Sequence, residues 1–433
     1  MKSVDVLVIG GGPAGTTAAA LLAQRGWRVA LFEKDRHPRF HIGESLMQGN
    51  LPILDRLGVL QQVCDIGVYK PGADFTGPDG NVLAFPFVRA LGDTPGHAFQ
   101  VKRAEFDQLL FDNCRRLGVD AYESHRVTDI RQLDSHHEVD YLDAQGRAQC
   151  VEAKLVIDAS GRDSLTARKK RWQTRNGRHA SAAIFGHFKQ VERRADGLAG
   201  NISVYWFDHG WIWMIPLRDD IMSVGAVCWP SLLKQRDGDL ESFLRKILAK
   251  VPGAGDRMGN AVAVSPVSAT GNYSYQSSRI YGHGLLLVGD AYAFIDPVFS
   301  SGVYLAMHGA EQSVAPAEAW LRGDRKAYRR ACRRYARAVC SKIGAFSWFI
   351  YRFTTPTMRD LFRNPRNDWQ VEQAVISMLA GDGDGSADIR KRLRIFKTIY
   401  LGYRLKRLGE SWRVWWAKRR SQRASFTDET IMS

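Results

Sequence analysis

The sequence is poor in the features that announce metal centres, disulfide scaffolds or membrane spans. Its 433 residues hold six cysteines, Cys64, Cys114, Cys150, Cys228, Cys332 and Cys340, with no CxxC pair and no histidine cluster near any of them. That excludes a zinc ribbon and a disulfide framework, so no metal is expected, and reduced thiols point to the cytoplasm. No stretch approaches the roughly 18 consecutive apolar residues of a spanning helix. The early apolar run Val4–Ile9 follows one lysine and ends in glycines. It is too short for a secretory core and has no small-residue cleavage site after it. No internal repeat is visible. The 45% apolar and 24% charged residues exclude a disordered or fibrous chain, and the length suggests two or three domains.

Charge is present but unevenly placed. Residues 1–319 hold 35 Lys plus Arg against 35 Asp plus Glu, whereas residues 320–433 hold 26 against 10, which is the whole net charge of +16. Such asymmetry suggests two regions with different partners. No helix-turn-helix, zinc-finger, RRM or KH pattern accompanies the basic region, which argues against nucleic acid and leaves an acidic protein or an anionic membrane surface. Residues 389–423 carry 13 Lys or Arg and one acid, Glu410. Ile389, Leu393, Phe396, Tyr400 and Tyr403, then Leu405, Leu408, Trp412 and Trp415, recur every three or four residues. This is a basic amphipathic helical pattern that could equally pack its apolar face on the body of the protein.

The first 35 residues read as strand, glycine turn, helix, strand. VDVLVIG is followed by GGGPAG, a helix-compatible stretch from Ala14 to Gln24, and WRVALFEK. Gly10, Gly12 and Gly15 occupy the GxGxxG positions of a dinucleotide-binding βαβ unit, where glycines permit a tight turn and close approach to a pyrophosphate. Glu33, 18 residues after Gly15, ends the second strand where a carboxylate accepts from ribose hydroxyls. Residues 104–117 have the spacing of an amphipathic helix. The runs at 154–158, 180–188, 202–207, 211–216 and 223–229 suggest an antiparallel second layer, 284–291 a further buried strand, and the chain from about 303 onward helices.

Four separated segments look like parts of one flavin site: GGGPAG with Glu33, Arg103 in VKRAEFDQLL, DASG at 158–161, and GDA at 289–291 followed by DPVFSSG. Together they resemble the FAD-dependent group that includes aromatic hydroxylases and flavin-dependent halogenases. Trp211-Ile-Trp213-Met-Ile215-Pro216 matches the halogenase WxWxIP signature, whose indoles are thought to shield the flavin from an organic substrate. The resemblance implies an α/β (α+β) architecture. Residues 1–320 would form the FAD-binding and substrate-side module, with FAD segments near 1–50, 100–165 and 280–320 and sheet near 66–100 and 178–275. Residues 321–433 would form a basic helical C-terminal domain. It also implies FAD contacts at Gly10, Gly12, Pro13, Ala14, Gly15, Glu33, Lys34, Arg103, Asp158, Gly161, Gly289, Asp290 and Pro297. Asp290 would bond the ribose.

Lys70, in YKPGADF, is the one lysine between Lys34 and Lys102 and follows Gly43-Glu44-Ser45. It resembles the lysine by which halogenases of phenols and pyrroles pass hypohalous acid to an aromatic ring; a solvated surface lysine is the alternative. Thr76-Gly77 follow Phe75 where that family would carry Trp-Gly. Ser301 and Gly302, preceding a helical run, are the halide candidates through their N–H groups. The implied reaction uses FAD as FADH2, O2 as co-substrate and chloride or bromide to halogenate an aromatic small molecule, either free or on an acyl carrier protein docked by the basic region. An aromatic hydroxylase would usually carry Asp-Gly where this chain has Asp158-Ala159-Ser160-Gly161. Its absence implies a separate NAD(P)H-dependent flavin reductase. A FAD-dependent aromatic monooxygenase, a flavoprotein reductase of lipid or polyene double bonds, and a flavin-binding scaffold without turnover remain the competing readings.

Overall fold

The computed structural model describes residues 3–195, 197–363, 368–382 and 386–406, together with 409, 412–414, 416 and 419. The strand Ser3–Ile9 is buried from Val4 onward. It lies at the centre of an eight-stranded sheet, which is why Val6–Ile9 read as a continuous apolar run instead of alternating. It pairs in parallel with Val29–Phe32 and Ala148–Asp158. Leu285–Leu287 and Asp120–Tyr122 extend the parallel region on either side. The helices Pro13–Ala23, Arg103–Arg116 and Ser301–Leu321 flank it, the first packing on both of the others.

The second layer is a nine-stranded sheet whose centre is Gln173–Lys189, Met222–Cys228, Gly210–Pro216 and Ile202–Phe207. Its pairings are antiparallel except one, the parallel contact between Ile202–Phe207 and Gly72–Thr76. Strand alternation divides the tryptophan strand Gly210–Pro216 between two cores. Trp211, Trp213 and Ile215 belong to the large core shared with the first sheet. Ile212 and Met214 pack with Phe243, Leu244, Ile247 and Leu248 of the helix Leu240–Ala249.

The C-terminal helices depart from the expected division. The boundary at 320 falls inside the helix Ser301–Leu321, and Tyr335, Phe346, Phe349, Met358 and Phe362 complete the large core instead of forming one of their own. In the helix Ala387–Lys406 the stripe Ile389, Leu393, Phe396 and Tyr400 is buried in that same core. The packing reading of the amphipathic pattern therefore holds for its first half. Beyond it Tyr403, Leu405, Trp412 and Trp416 are exposed. Arg407, Leu408, Trp415 and Arg420 lie outside the described residues. None of the described helices is long and apolar enough to cross a membrane.

Candidate functional site

The glycine turn is pressed against the loop that ends the Ala148–Asp158 strand. A Cβ at Gly10, where φ is +103°, would stand 2.4 Å from the carbonyl oxygen of Ala159, and one at Gly15 would stand 1.9 Å from the oxygen of Gly10. Only hydrogen fits at either place. Pro13 opens the helix Pro13–Ala23, and buried Ala14 receives Gly289, so the late GDA segment meets the helix start. Gly12 keeps open space beside the guanidinium of Arg39. Glu33 is buried at the strand end, its Oε2 accepting from the Gly11 N–H at 2.7 Å and its Oε1 from the Asp35 N–H at 2.9 Å. A carboxylate has about four lone-pair sites, so ribose hydroxyls can still be accepted. Asp290 forms no hydrogen bond through its carboxylate among the described residues. Burial raises its pKa to about 6, against the opposing charges of Arg162 and Arg103. These residues fit a bound FAD: a cradle that any side chain would fill, and a half-buried carboxylate with no hydrogen-bond partner among the described residues.

Three of the expected cofactor contacts already have partners within the protein. Asp158 is fully buried, and both its oxygens are engaged by backbone, accepting from Ser160 at 3.0 Å and Thr166 at 2.8 Å. It shapes the loop under the turn. Arg103 is bidentate to Asp107 at 2.8 and 3.0 Å and also donates to the Ile42 carbonyl at 2.8 Å, which ties its helix to the loop before Gly43. Lys34 pairs with Asp163 at the surface, 2.6 Å apart. Gly161 has φ of +60° in the turn after Asp158.

The DPVFSSG loop closes on itself. The Ser300 N–H donates to the Pro297 carbonyl at 2.8 Å, and Ser300, with φ of +58°, starts the helix Ser301–Leu321. The first N–H groups of a helix have no intrahelical partner. Ser301 is fully buried there with its hydroxyl unpaired, and Gly302 is exposed. Trp211 and Trp213 lie 5.7 Å apart, centroid to centroid, and Trp213 donates to Ser223 Oγ at 3.2 Å. Ile215 and Pro216 continue the same buried strand. Trp211 lines an open pocket with Trp229, Asp296, Val298, Ile350 and Phe353. The DPVFSSG loop, tryptophan motif and C-terminal helices thus share one pocket, of which Lys70 is not a lining residue.

Lys70 is not a surface lysine. It is 2% exposed, and its Nζ donates to Ser45 Oγ at 2.8 Å and to the Leu46 carbonyl at 2.9 Å, with the Phe87 ring 5.2 Å away. Among the described residues no carboxylate bonds it, and burial brings its pKa down to about 7. Glu44, also buried, accepts from His187 Nε2 at 2.8 Å. Sequence spacing had not singled out Ser45 as a partner of the lysine, nor His187 or Arg39. Arg39 reaches Glu33 at 3.3 Å and Asp107 at 3.4 Å beside the glycine turn.

Residues 3–341 match the FAD binding domain family. A tryptophan 2-halogenase of Chondromyces crocatus is 35% identical over 332 residues, covering 75% of this chain and 62% of that protein. A flavin-dependent halogenase of Armillaria mellea is 32% identical, covering 74% and 68%. A 1H-pyrrole-2-carbonyl-[peptidyl-carrier protein] chlorinase of Pseudomonas fluorescens is 29% identical, covering 71% and 74%. The chain therefore spans under two thirds of the first of these relatives. A flavoprotein/dehydrogenase from Cytophaga hutchinsonii superposes with a TM-score of 0.86 at 30% identity, covering 94% of this chain and all of that one. The myxobacterial chondrochloren halogenase, described as a new variant of FAD-dependent halogenases, superposes with a TM-score of 0.76 at 28% identity, covering 91% and 97%. With the glycine cradle, the paired tryptophans and the buried lysine in one molecule, these likenesses establish that the chain belongs to the flavin-dependent halogenases.

Proposed function

We propose that the chain uses reduced FAD, O2 and chloride or bromide to halogenate an electron-rich aromatic, a phenol or pyrrole, with Lys70 delivering the halogen. The single observation that carries this reading is Lys70 itself: an amine buried without an anion, held by Ser45 and the Leu46 carbonyl, with burial bringing its pKa down to about 7. FAD supplies the redox chemistry that turns halide into hypohalous acid. Gly10, Gly12 and Gly15 admit the cofactor closely, Glu33 and Asp290 accept from its hydroxyls, and Arg39 faces its diphosphate. The N–H groups of Ser301 and Gly302 hold the halide. Trp211 and Trp213 keep the aromatic ring away from the flavin, so the oxidant reaches the ring by way of the lysine. As ammonium, Lys70 donates a hydrogen bond to hypohalous acid and polarises it. As free amine it forms a haloamine and water. In either form the ring gains a carbon–halogen bond and loses a proton, and water is the other product.

The reductant comes from a separate flavin reductase, a reading supported by the missing Asp-Gly at 158–161. The name of the Pseudomonas relative, a chlorinase of a carrier-bound pyrrole, supports an aromatic presented on a carrier protein, and the net charge of residues 320–433 suits an acidic one. A peripheral membrane contact is the second reading, favoured by exposed Trp412 and Trp416. The test supplies FAD, a flavin reductase, NADH, O2 and bromide or chloride to the purified chain with a panel of phenols and pyrroles. Halogenated product is expected from the wild type and none from a Lys70→Ala protein that keeps its yellow flavin. Hydroxylation driven by NADPH without any reductase would instead support the hydroxylase.

A further inference from the structure

The lysine strand Val68–Lys70 and the Gly43–Leu46 segment do not touch through their backbones; the short strand Ala98–Gln100 lies between them. Lys70 is directly opposite Ala98 on one edge, while on the other edge Ser45 bridges Gln100 and the Leu46 N–H donates to the Phe99 carbonyl at 3.0 Å. Adjacent strands are about 4.8 Å apart, so the Lys70 side chain must cross a whole strand to reach Ser45. Directly opposed residues present their side chains to the same face. Lys70 therefore crosses over Ala98, which is completely buried and offers only a methyl group.

We infer that Ala98 and Ser45 are positioning residues for Lys70, Ala98 by leaving the passage for its stem and Ser45 by holding its nitrogen and tuning its protonation. This rests on the reading of Lys70 as the group that hands on the halogen. An ammonium has three N–H donors. Ser45 Oγ and the Leu46 carbonyl accept two, and the third is free on the side of the Phe87 ring. The Leu46 carbonyl can only accept. The Ser45 hydroxyl can accept from the ammonium and, by rotating, donate to the free amine. Of the two oxygens it is therefore the one that can follow a change in protonation, and it fixes the nitrogen in both forms.

Loss of the Ser45 hydroxyl leaves the buried ammonium with one acceptor and lowers the lysine pKa further. The sign is the same whether the active form is amine or ammonium, because the limb of the pH–rate profile set by Lys70 moves to lower pH in both cases. In Ser45→Ala that limb should move down by about one pH unit, the tenfold change expected when one charge-assisted hydrogen bond is lost. Product per reduced flavin consumed should fall at least several-fold, the difference appearing as trappable hypohalous acid. Ser45→Thr, which keeps the hydroxyl, should restore the limb. Ala98→Val should show the same escape of hypohalous acid with FAD still bound, while Ala98→Ser, barely larger, should retain product. A carbon-13 NMR titration of the lysine side chains in the FAD-loaded protein reads the Ser45→Ala shift independently of turnover. An unmoved Lys70 titration together with wild-type product yield in Ser45→Ala would overturn the inference while leaving the role of Lys70 intact. Full product from Lys70→Ala would instead overturn the reading of Lys70.

Discussion

Replacing Lys70 with methionine tests the electrostatics of the buried amine while nearly preserving its shape. An amine that titrates at about 7 in the native state and at the ordinary 10.5 when unfolded makes stability depend on pH. Between those values the unfolded chain binds the extra proton, so the stability of the wild type rises with pH through that window. Below about pH 7 the native state must bury the ammonium, and the cost is complete. At roughly 1.4 kcal/mol for each tenfold change in the proton equilibrium, the full cost is about 5 kcal/mol, an upper bound. Working the same relation at two pH values gives about 4 kcal/mol at pH 7 and about 2 kcal/mol at pH 9, so the wild type recovers about 2 kcal/mol over that interval. The methionine variant has no group to titrate there. It does leave Ser45 Oγ and the Leu46 carbonyl without their donor, at a cost of about 1–3 kcal/mol each, but that cost does not change with pH and cancels from the comparison. Denaturation of both proteins at pH 7, 8 and 9 should therefore show the variant losing ground to the wild type by about 2 kcal/mol as pH rises. Parallel curves across that range would refute the argument that the amine is buried without compensation.

Three further outcomes are expected. FAD affinity, read from flavin fluorescence, should weaken in the wild type as pH falls through about 6 and Asp290 takes up a proton, and the Asp290→Asn protein should bind weakly with no such dependence. Trp213→Ala should destabilise the fold by about 3–5 kcal/mol in a denaturant titration, because the indole is 4% exposed and packs on Phe185 and Trp211. A loss under 1 kcal/mol would mean the strand does not depend on it. Exchanging Arg404, Arg407, Arg419 and Arg420 for glutamate should raise the apparent KM for a carrier-bound substrate at low salt and leave a free phenol unaffected. An unchanged KM would count against carrier docking, and loss of vesicle co-sedimentation in the variant would favour the membrane.

Local patterns in the chain were sufficient for the frame of the molecule. GGGPAG between two apolar runs specifies much of its own turn, because a side chain at Gly15 collides with the carbonyl of Gly10 a turn earlier. The expected helix at 104–117 is Arg103–Arg116, and the alternation in WIWMIP already implied that Trp211 and Trp213 share a face. Such information is short in range: residues a few positions apart determine which side of an element each occupies. The environment of each group is another matter, since it depends on pairings between distant segments. Lys70 is isolated in sequence, yet the strand Ala98–Gln100, held between the lysine and Ser45, brings together the segments that surround its buried amine. Asp158 has the place of a ligand in its motif, and the N–H it accepts from Thr166 comes from the chain folding back, which the motif alone does not show. The basic C-terminal stripe has the period of a docking helix, and its first half is buried because Ile389, Leu393, Phe396 and Tyr400 find the large core beneath them. Periodicity identifies an apolar face; the tertiary arrangement supplies the surface that covers it and, through the loss of water there, the protonation of whatever is buried alongside.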